Sequence, residues 1–383
     1  MKIAFDAKRA YCNFTGLGNH SRTTLDILTR YFPDNDYVLY TPKVKHTQLT
    51  DSYLRNSALH TVQPTGWLKG SLWRTYRLAH EASQEKADVF HGLSNELPCG
   101  LSRKGIPSVV TIHDVAFHTF PDMYQWIDRQ IYDRKWKYAL SHADSIIAIS
   151  ESTKRDILRY YDVEKSKIRV IYQPAAPYYY TADCIRAREE KVAHRPFLLY
   201  VGSINSRKNL LGAVRALEML PASVRLPLVV VGNGREYMQE VQRYIEAHRL
   251  HEWVEFRTKV EDAQLHELYA TARAFIYPSF CEGFGLPLVE ARLSGCPVIS
   301  SNLSSLPEAA GPYSLLTDPH DTQALSQALD RLITDDELHR QLSVKGREDA
   351  LAHLHPQVLA GQLMDTYRSP GSERPAYPSL TRV

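Results

Sequence analysis

Cysteine is scarce in this chain and scattered. The five, Cys12, Cys99, Cys184, Cys281 and Cys296, include no CxxC pair. That excludes a disulfide framework and a structural zinc site, and it points to a reducing cytosol. Long apolar runs are missing as well. The longest, such as Leu226–Val231, fall far short of the ~20 residues a membrane span needs. The opening MKIAFDAK has an apolar run of only three residues between Lys2 and Asp6, too short for a signal peptide, and reads as a buried strand. Neither sign of charge dominates. Lys and Arg number 46 against 43 Asp and Glu, which excludes a strongly basic nucleic-acid binder. A dinucleotide fingerprint is absent too. After Gly16 and Gly18 the third glycine position is Ser21, and the second strand ends on Tyr40 where an acid is required. Asp34-Asn35-Asp36 has the spacing of a metal motif, but it follows Pro33 and precedes a strand, so it reads as a turn.

What is present is ordinary globular material, 44% apolar and 23% charged, in a chain of 383 residues that suggests two or three domains. Short β-rich runs alternate with helical stretches. The first half predicts strands at 2–6, 37–40, 88–91, 108–113, 145–150 and 168–172. Helices are predicted over 18–31, 71–85, 126–142 and 151–161, the last with Ser150 as N-cap. Several strands are continuous apolar runs, as in parallel sheets buried on both faces. Pro174, Pro177 and Tyr178–Tyr180 break the pattern, and a charged stretch follows, so 174–195 reads as a linker. Strands resume at 197–202, 226–232, 254–258, 274–278 and 297–301. Two α/β units in series, each with a parallel sheet, is the consistent reading, with a domain over 1–173 and another over 196–352. A last helix falls in 353–368, and 369–383 reads as a disordered tail.

Four segments carry chemistry. Gly16 and Gly18 sit between the first strand and a helix, where glycine lets backbone approach a ligand and leaves helix amides for an anion; an ordinary turn is the plain alternative. His113 closes an apolar strand, and the C-terminal ends of parallel strands face the ligand crevice; it could bind a sugar hydroxyl or move a proton, or cap the strand. Gly202-Ser203-Ile204-Asn205-Ser206-Arg207-Lys208 sets two cations behind a small-residue loop. Cations at a helix start oppose its dipole, so they call for an anion such as a diphosphate or for another compensation. Most informative is PSFCEGFGLPLVEA, residues 278–291. Glu282 lies on a Gly283-Phe284-Gly285 loop and Glu290 in the helix that Pro287 opens. Amides for an anion beside carboxylates for hydroxyls is what a nucleotide sugar requires. A capping pair of acids is the alternative, made less apt by their eight-residue separation.

These segments resemble the retaining family-4 glycosyltransferases of the GT-B type. The Glu-x7-Glu motif is matched by Glu282 and Glu290 within PSFCEGFGLPLVEARLSGCPVISSNLSSLPEAAG. TGLGNHSR, TIHDVAF, AISESTKRDI and VGSINSRKNL are similar to four further family segments, in the expected order from Phe5 to Gly311. The resemblance implies two Rossmann-like, doubly wound parallel-sheet domains facing a cleft, with the last helix crossing back to the first. It implies that Arg207 and Lys208 bind the donor diphosphate, that Glu290 holds the ribose, and that Glu282 with Gly283, Phe284 and Gly285 grips the sugar. Ser203 lies on the donor loop, His113 near the reacting carbon, and Gly16 and Gly18 near phosphate and acceptor. Asn19-His20 departs from the family's Arg-Tyr on the acceptor side. The implied activity is transfer of a hexose, best read as mannose from GDP-mannose, to a saccharide or lipid-linked saccharide hydroxyl, without a metal or cofactor and without nucleic acid. A nucleotide-sugar epimerase of the same fold and a non-catalytic sugar-nucleotide binding protein are the rival readings.

Residues 66–80 hold Lys69, Arg74 and Arg77 and no acid between Gly66 and His80. They suit contact with an anionic membrane at the cytoplasmic face, or an amphipathic surface helix packing Leu68, Leu72 and Tyr76 inward.

Overall fold

The computed structural model describes residues 1–66, 69–121, 124–181 and 196–371. The chain forms two compact units. One holds Met1–Pro174 together with the helix Pro356–Arg368, and the other holds Ala175–His355.

The first unit contains β1 (Lys2–Asp6), β2 (Asp36–Tyr40), β3 (Leu59–Val62), β4 (Val89–Gly92), β5 (Ser108–Ile112), β6 (Ser145–Ala148) and β7 (Ile168–Val170). They pair in the order β3-β2-β1-β4-β5-β6-β7, each pair parallel. Side chains alternate between two separate cores, as the period of two requires. Ile3 and Phe5 of β1 and Tyr37 and Leu39 of β2 join one core, while Ala4, Val38 and Tyr40 join the other. The first core is closed by the helix Gly16–Tyr31 and by Pro356–Arg368, whose Leu359, Leu363, Met364 and Tyr367 form a buried stripe at helical spacing. Tyr367 OH lies 2.7 Å from His91 Nδ1, and His91 Nε2 lies 2.8 Å from Thr111 Oγ1.

The second unit contains β8 (Leu198–Val201), β9 (Leu228–Val231), β10 (Val254–Arg257), β11 (Ala274–Tyr277), β12 (Val298–Ser301) and β13 (Leu315–Thr317). Their order is β10-β9-β8-β11-β12-β13, again all parallel. In both sheets the order reverses next to the first strand of the unit, between β1 and β4 and between β8 and β11. Such a reversal opens a crevice at the carboxyl ends of the strands.

The structure corrects several expectations. β3 and β13 were not foreseen; both are short and lie at sheet edges, where patterning is weak. Helices Lys8–Cys12 and Gln48–Arg55 are additional. The helix expected over 71–85 is two, Gly70–Tyr76 and Leu78–Gln84, joined at Arg77 with φ −110°. Its inward residues are Trp73 and Arg74, whereas Leu72 and Tyr76 are 57% and 63% exposed. The opposite face was expected because Arg74 was read as a surface cation. Instead its guanidinium is buried against Asp6 (2.5 Å) and Glu96 (3.2 Å). Ala175–Thr181, expected in the linker, fold with the second unit, where Pro177–Tyr180 make a 3-10 turn. The rest of the expected linker, 182–195 with Cys184, lies outside the described residues, as do Trp67, Leu68 and tail residues 372–383. The start of that tail is held in place. Ser369 O accepts from Arg169 Nη2 at 3.2 Å, and Gly371 N donates to Ser145 Oγ at 2.9 Å.

Met364 is fully buried in the first unit's core. Met364→Ala should therefore cost about 2–5 kcal/mol in denaturant unfolding, and a chain ending at His355 should fail to fold its first unit. An unchanged chemical denaturation midpoint for Met364→Ala would show that the helix is not part of that core.

Candidate active site

Parallel pairing places β8 beside β11, with Leu198 opposite Ala274 and Leu199 opposite Phe275. Their two following loops therefore emerge side by side at the switch point of the second sheet. The loop after β8 runs through exposed Ser203, whose Oγ accepts from Asn205 Nδ2 at 3.1 Å. Arg207 and Lys208 do not open the following helix, as the sequence suggested. They occupy a 3-10 turn of their own, Ser206–Lys208, in which the Asn205 side chain accepts from Lys208 N. Asn209, at φ 54°, then caps the separate helix Leu210–Glu218 by accepting from Gly212 N. Lys208 still directly precedes that cap, so the two cations lie at the helix's amino end and require compensation.

The compensation for the two cations comes from the other loop. Glu282 Oε2 lies 2.7 Å from Arg207 Nη1, and Oε1 lies 2.9 Å from Lys208 Nζ. Tyr277, the last residue of β11, donates to Glu282 Oε1 at 3.0 Å and accepts from Lys208 Nζ, whose ammonium sits 4.7 Å from the tyrosine ring centre. Arg207 also donates to the Cys281 carbonyl. Burial works to raise the pKa of Glu282, but Lys208 and Arg207 outweigh it and hold the carboxyl below its ordinary value. For Lys208 burial wins over the attraction of Glu282, and its pKa is lowered. With both bases charged the three-residue cluster carries one excess positive charge, which suits a phosphate-bearing ligand.

The Gly283–Gly285 loop is shaped by backbone. Gly285 has φ 109° at the cap of the helix Leu286–Leu293, a conformation that favours glycine. Phe284 is buried, and Ser305 Oγ donates to the carbonyls of Glu282 and Phe284 at 2.8 and 3.0 Å. The phenyl ring is therefore packed inward, and Ser305 fixes the course of the loop backbone. Glu290 lies further along the same helix. Burial pushes its carboxyl up to about 7, against a hydrogen bond from Tyr269 at 3.2 Å.

The remaining candidates belong to the first unit. Gly18 is required by packing, since a Cβ there would meet Asn13 O at 1.8 Å. Its amide donates to Thr15 O and Asn13 Oδ1, so it is already engaged, while Gly16 faces open space. His113 is buried just beyond β5. Its Nε2 faces Leu93 O at 3.0 Å and Nδ1 faces Gln173 Nε2 at 3.2 Å, which assigns the proton to Nε2. Burial lowers its pKa, so the ring is neutral. Both ring nitrogens are occupied, and bonding to a sugar hydroxyl requires one partner to be exchanged. His20, the departure noted in the sequence, packs edge-on against His113 at 4.7 Å between ring centres. Asp34-Asn35-Asp36 is the turn into β2, with Asn35 bonded to the chain's amino terminus.

Sequence reading missed Tyr277, Tyr269 and Gln173. Tyr277 directly precedes the Pro278-Ser279 pair and was read only as the end of a strand. Gln173 was assigned to the edge of the linker, and Tyr269 sits mid-helix where it reads as core.

Two parallel-sheet domains with ligand loops at their switch points define a glycosyltransferase fold of the GT-B class. Anabaena HepE in complex with UDP and glucose aligns with a TM-score of 0.72 at 18% identity, covering 96% of this chain and 99% of that one. The lipopolysaccharide glycosyltransferase WaaG aligns at 0.71 and 17%, with coverage of 96% and 99%. Residues 21–175 match Glycosyltransferase Family 4, and residues 182–349 match Glycosyl transferases group 1. The chain is 29% identical over 377 residues to O-antigen chain mannosyltransferase B of Escherichia coli, spanning 91% of this chain and 95% of that protein. It is 30% identical over 209 residues to the Escherichia coli serotype-specific mannosyltransferase WbdA, spanning 52% of this chain and 26% of that one. The chain belongs to the family-4 glycosyltransferases, and it is an enzyme of that class.

Because Glu282 occupies both cations, Glu282→Gln should have opposite effects on stability and on anion binding. Loss of the carboxylate leaves two shielded cations unpaired, at a cost of about 3 kcal/mol in unfolding free energy. The same loss frees both cations, so pyrophosphate should bind several-fold tighter by calorimetry. Weaker pyrophosphate binding in a folded Glu282→Gln protein would contradict the cluster's assigned role.

Proposed function

We propose that this enzyme transfers mannose from GDP-mannose, with retention, to a hydroxyl of a saccharide or lipid-linked saccharide in surface-polysaccharide assembly. The observation that carries the reading is the Arg207–Glu282–Lys208 cluster beside the Gly283–Gly285 loop, on a chain that aligns over nearly its whole length with an O-antigen mannosyltransferase. In this reading the second unit holds the donor. The diphosphate displaces Glu282 from Arg207 and Lys208, and the freed carboxylate accepts from sugar hydroxyls. Glu290 accepts from the ribose. Charge developing on the leaving diphosphate is stabilised by the two cations, the largest catalytic contribution. The leaving phosphate removes the acceptor proton on the same face of the sugar, which retains configuration. A double displacement needs a carboxylate nucleophile at the anomeric carbon; in this reading Glu282 is engaged by sugar hydroxyls and Glu290 by the ribose and Tyr269, which favours the single-step route. With fixed cations on the diphosphate, the reaction proceeds without a metal or other cofactor.

A panel of GDP- and UDP-sugars tests the donor. GDP-mannose should raise the melting temperature most, by mass action, and transfer with a polysaccharide acceptor should survive EDTA. Selection of a UDP-sugar, epimer formation from donor alone, or activity abolished by EDTA and restored by Mg²⁺ would each overturn the corresponding part.

We also place the enzyme in the cytoplasm against the membrane face. No helix among the described residues is long and apolar enough to cross a membrane. Support comes from the first unit, where Leu72 and Tyr76 stand exposed beside Lys69 and Arg77, and Trp126, Ile127 and Ile131 are 70%, 63% and 45% exposed on the helix Trp126–His142. Lys135 on that helix and Arg74 bond to the same carboxylate, Glu96, which ties the two helices together; exposed apolar side chains beside cations suit an anionic membrane surface. Phosphatidylglycerol vesicles should sediment the protein and phosphatidylcholine vesicles should not. Substitution of Trp126 and Ile127 by Ser should abolish the sedimentation, and equal recovery with both lipids would refute the assignment.

A further inference from the structure

Glu290 is held by one group. Tyr269 OH donates to its Oε2 at 3.2 Å, while Oε1 has no hydrogen-bond partner among the described residues. Tyr269 lies in the helix Asp262–Thr271 and is fully buried. Its ring stands edge-on to Phe275 of β11 at 5.3 Å and to Tyr179 at 6.0 Å. Tyr179 comes from the 3-10 turn Pro177–Tyr180 at the start of the second unit, and that turn grips the same helix at a second point. Tyr178 stacks face to face on His266 at 3.9 Å and 7°, and Tyr179 meets His266 edge-on at 4.6 Å. Tyr180 anchors the turn by donating to Leu354 O at 2.9 Å and accepting from Ala175 N at 3.0 Å. The strap therefore fixes the Tyr269 ring between two aromatic neighbours and aims its hydroxyl at the carboxylate.

We propose that Tyr269 is a positioning residue for Glu290, holding Oε2 so that Oε1 faces the nucleotide and the carboxylate stays ready to accept from ribose hydroxyls. This rests on the donor reading above, in which Glu290 is the ribose acceptor. An ionised carboxylate has room to accept from both the tyrosine and a diol, whereas a protonated one loses part of that capacity. Two titratable groups act on Glu290 besides burial. The Tyr269 hydroxyl favours the ionised form, Asp262 on the same helix disfavours it, and among the described residues no cation helps. With the carboxyl near 7, nucleotide binding should strengthen as pH rises through neutrality. Removing the tyrosine hydroxyl withdraws the one group among the described residues that favours ionisation and moves that rise to higher pH.

The test is calorimetry of GDP and UDP, each beside its 2′,3′-dideoxy form, from about pH 5.5 to about pH 8.5, on the wild type, Tyr269→Phe, Glu290→Gln and the double variant. The wild type should prefer the ribose form increasingly as pH rises. Tyr269→Phe keeps the aromatic packing and should shift that rise upward by about one pH unit, which a merely structural role would not do. Glu290→Gln should lose both the preference and its pH dependence, and adding Tyr269→Phe to it should cost nothing more. A wild-type pH profile in Tyr269→Phe, or an equal loss in both backgrounds, overturns the positioning role and leaves the ribose reading standing. An undiminished ribose preference in Glu290→Gln removes the ribose reading and the positioning role with it.

Discussion

The loops at the switch point of the second sheet depend on one carboxylate shared by two cations. Without Glu282, Arg207 and Lys208 would stand a few ångströms apart in a shielded site with uncompensated charge, which is among the costlier arrangements in a folded protein. With it, the cluster is stable yet keeps one excess positive charge. Tyr277 adds a hydroxyl that links the carboxylate and the ammonium, so the three groups hold one geometry. Under the proposed function a diphosphate would take the carboxylate's place on cations already held in position, and would bring more negative charge than it displaces.

The parallel sheet makes that sharing available. Arg207 and Glu282 are 75 positions apart in the chain, and only the adjacency of β8 and β11 brings their loops together. The same reversal of strand order in the first unit places the loops after β1 and β4 side by side, with Asp6 and Glu96 both bound to Arg74. Each unit thus spends one buried ionic cluster on fixing the loops at its switch point.

Much of this was legible in the sequence. Continuous apolar runs marked most strands, and the helix over 126–142 was found with both ends correct because its flanks break the pattern sharply. Ser150 was recognised as a cap because serine before a helical run has few other uses; it accepts from Thr153 N. Glu282, Arg207 and Lys208 were each singled out, but their mutual pairing was not, since spacing in sequence says nothing about which loops share a crevice. Arg74 misled for a similar reason. A cation beside apolar residues looks like surface until a buried acid 68 positions away is seen to hold it. Edge strands and aromatic positioning groups such as Tyr269 carry no local signature, because they are set by packing alone.

The helix Pro356–Arg368 makes the second unit an insertion within the first. Roughly 180 residues separate the end of β7 and its following loop from the helix that finishes the first core. On the ribosome, at the usual synthesis rate, they take roughly 10–40 s to make. Throughout that interval the nascent first unit has an unfinished apolar face, exposed where Leu359, Leu363, Met364 and Tyr367 will later lie. The second unit can fold as soon as it emerges, so the N-terminal half is the last to be completed. During translation the first unit therefore carries incomplete apolar surface for longer than the second, although it is synthesised first.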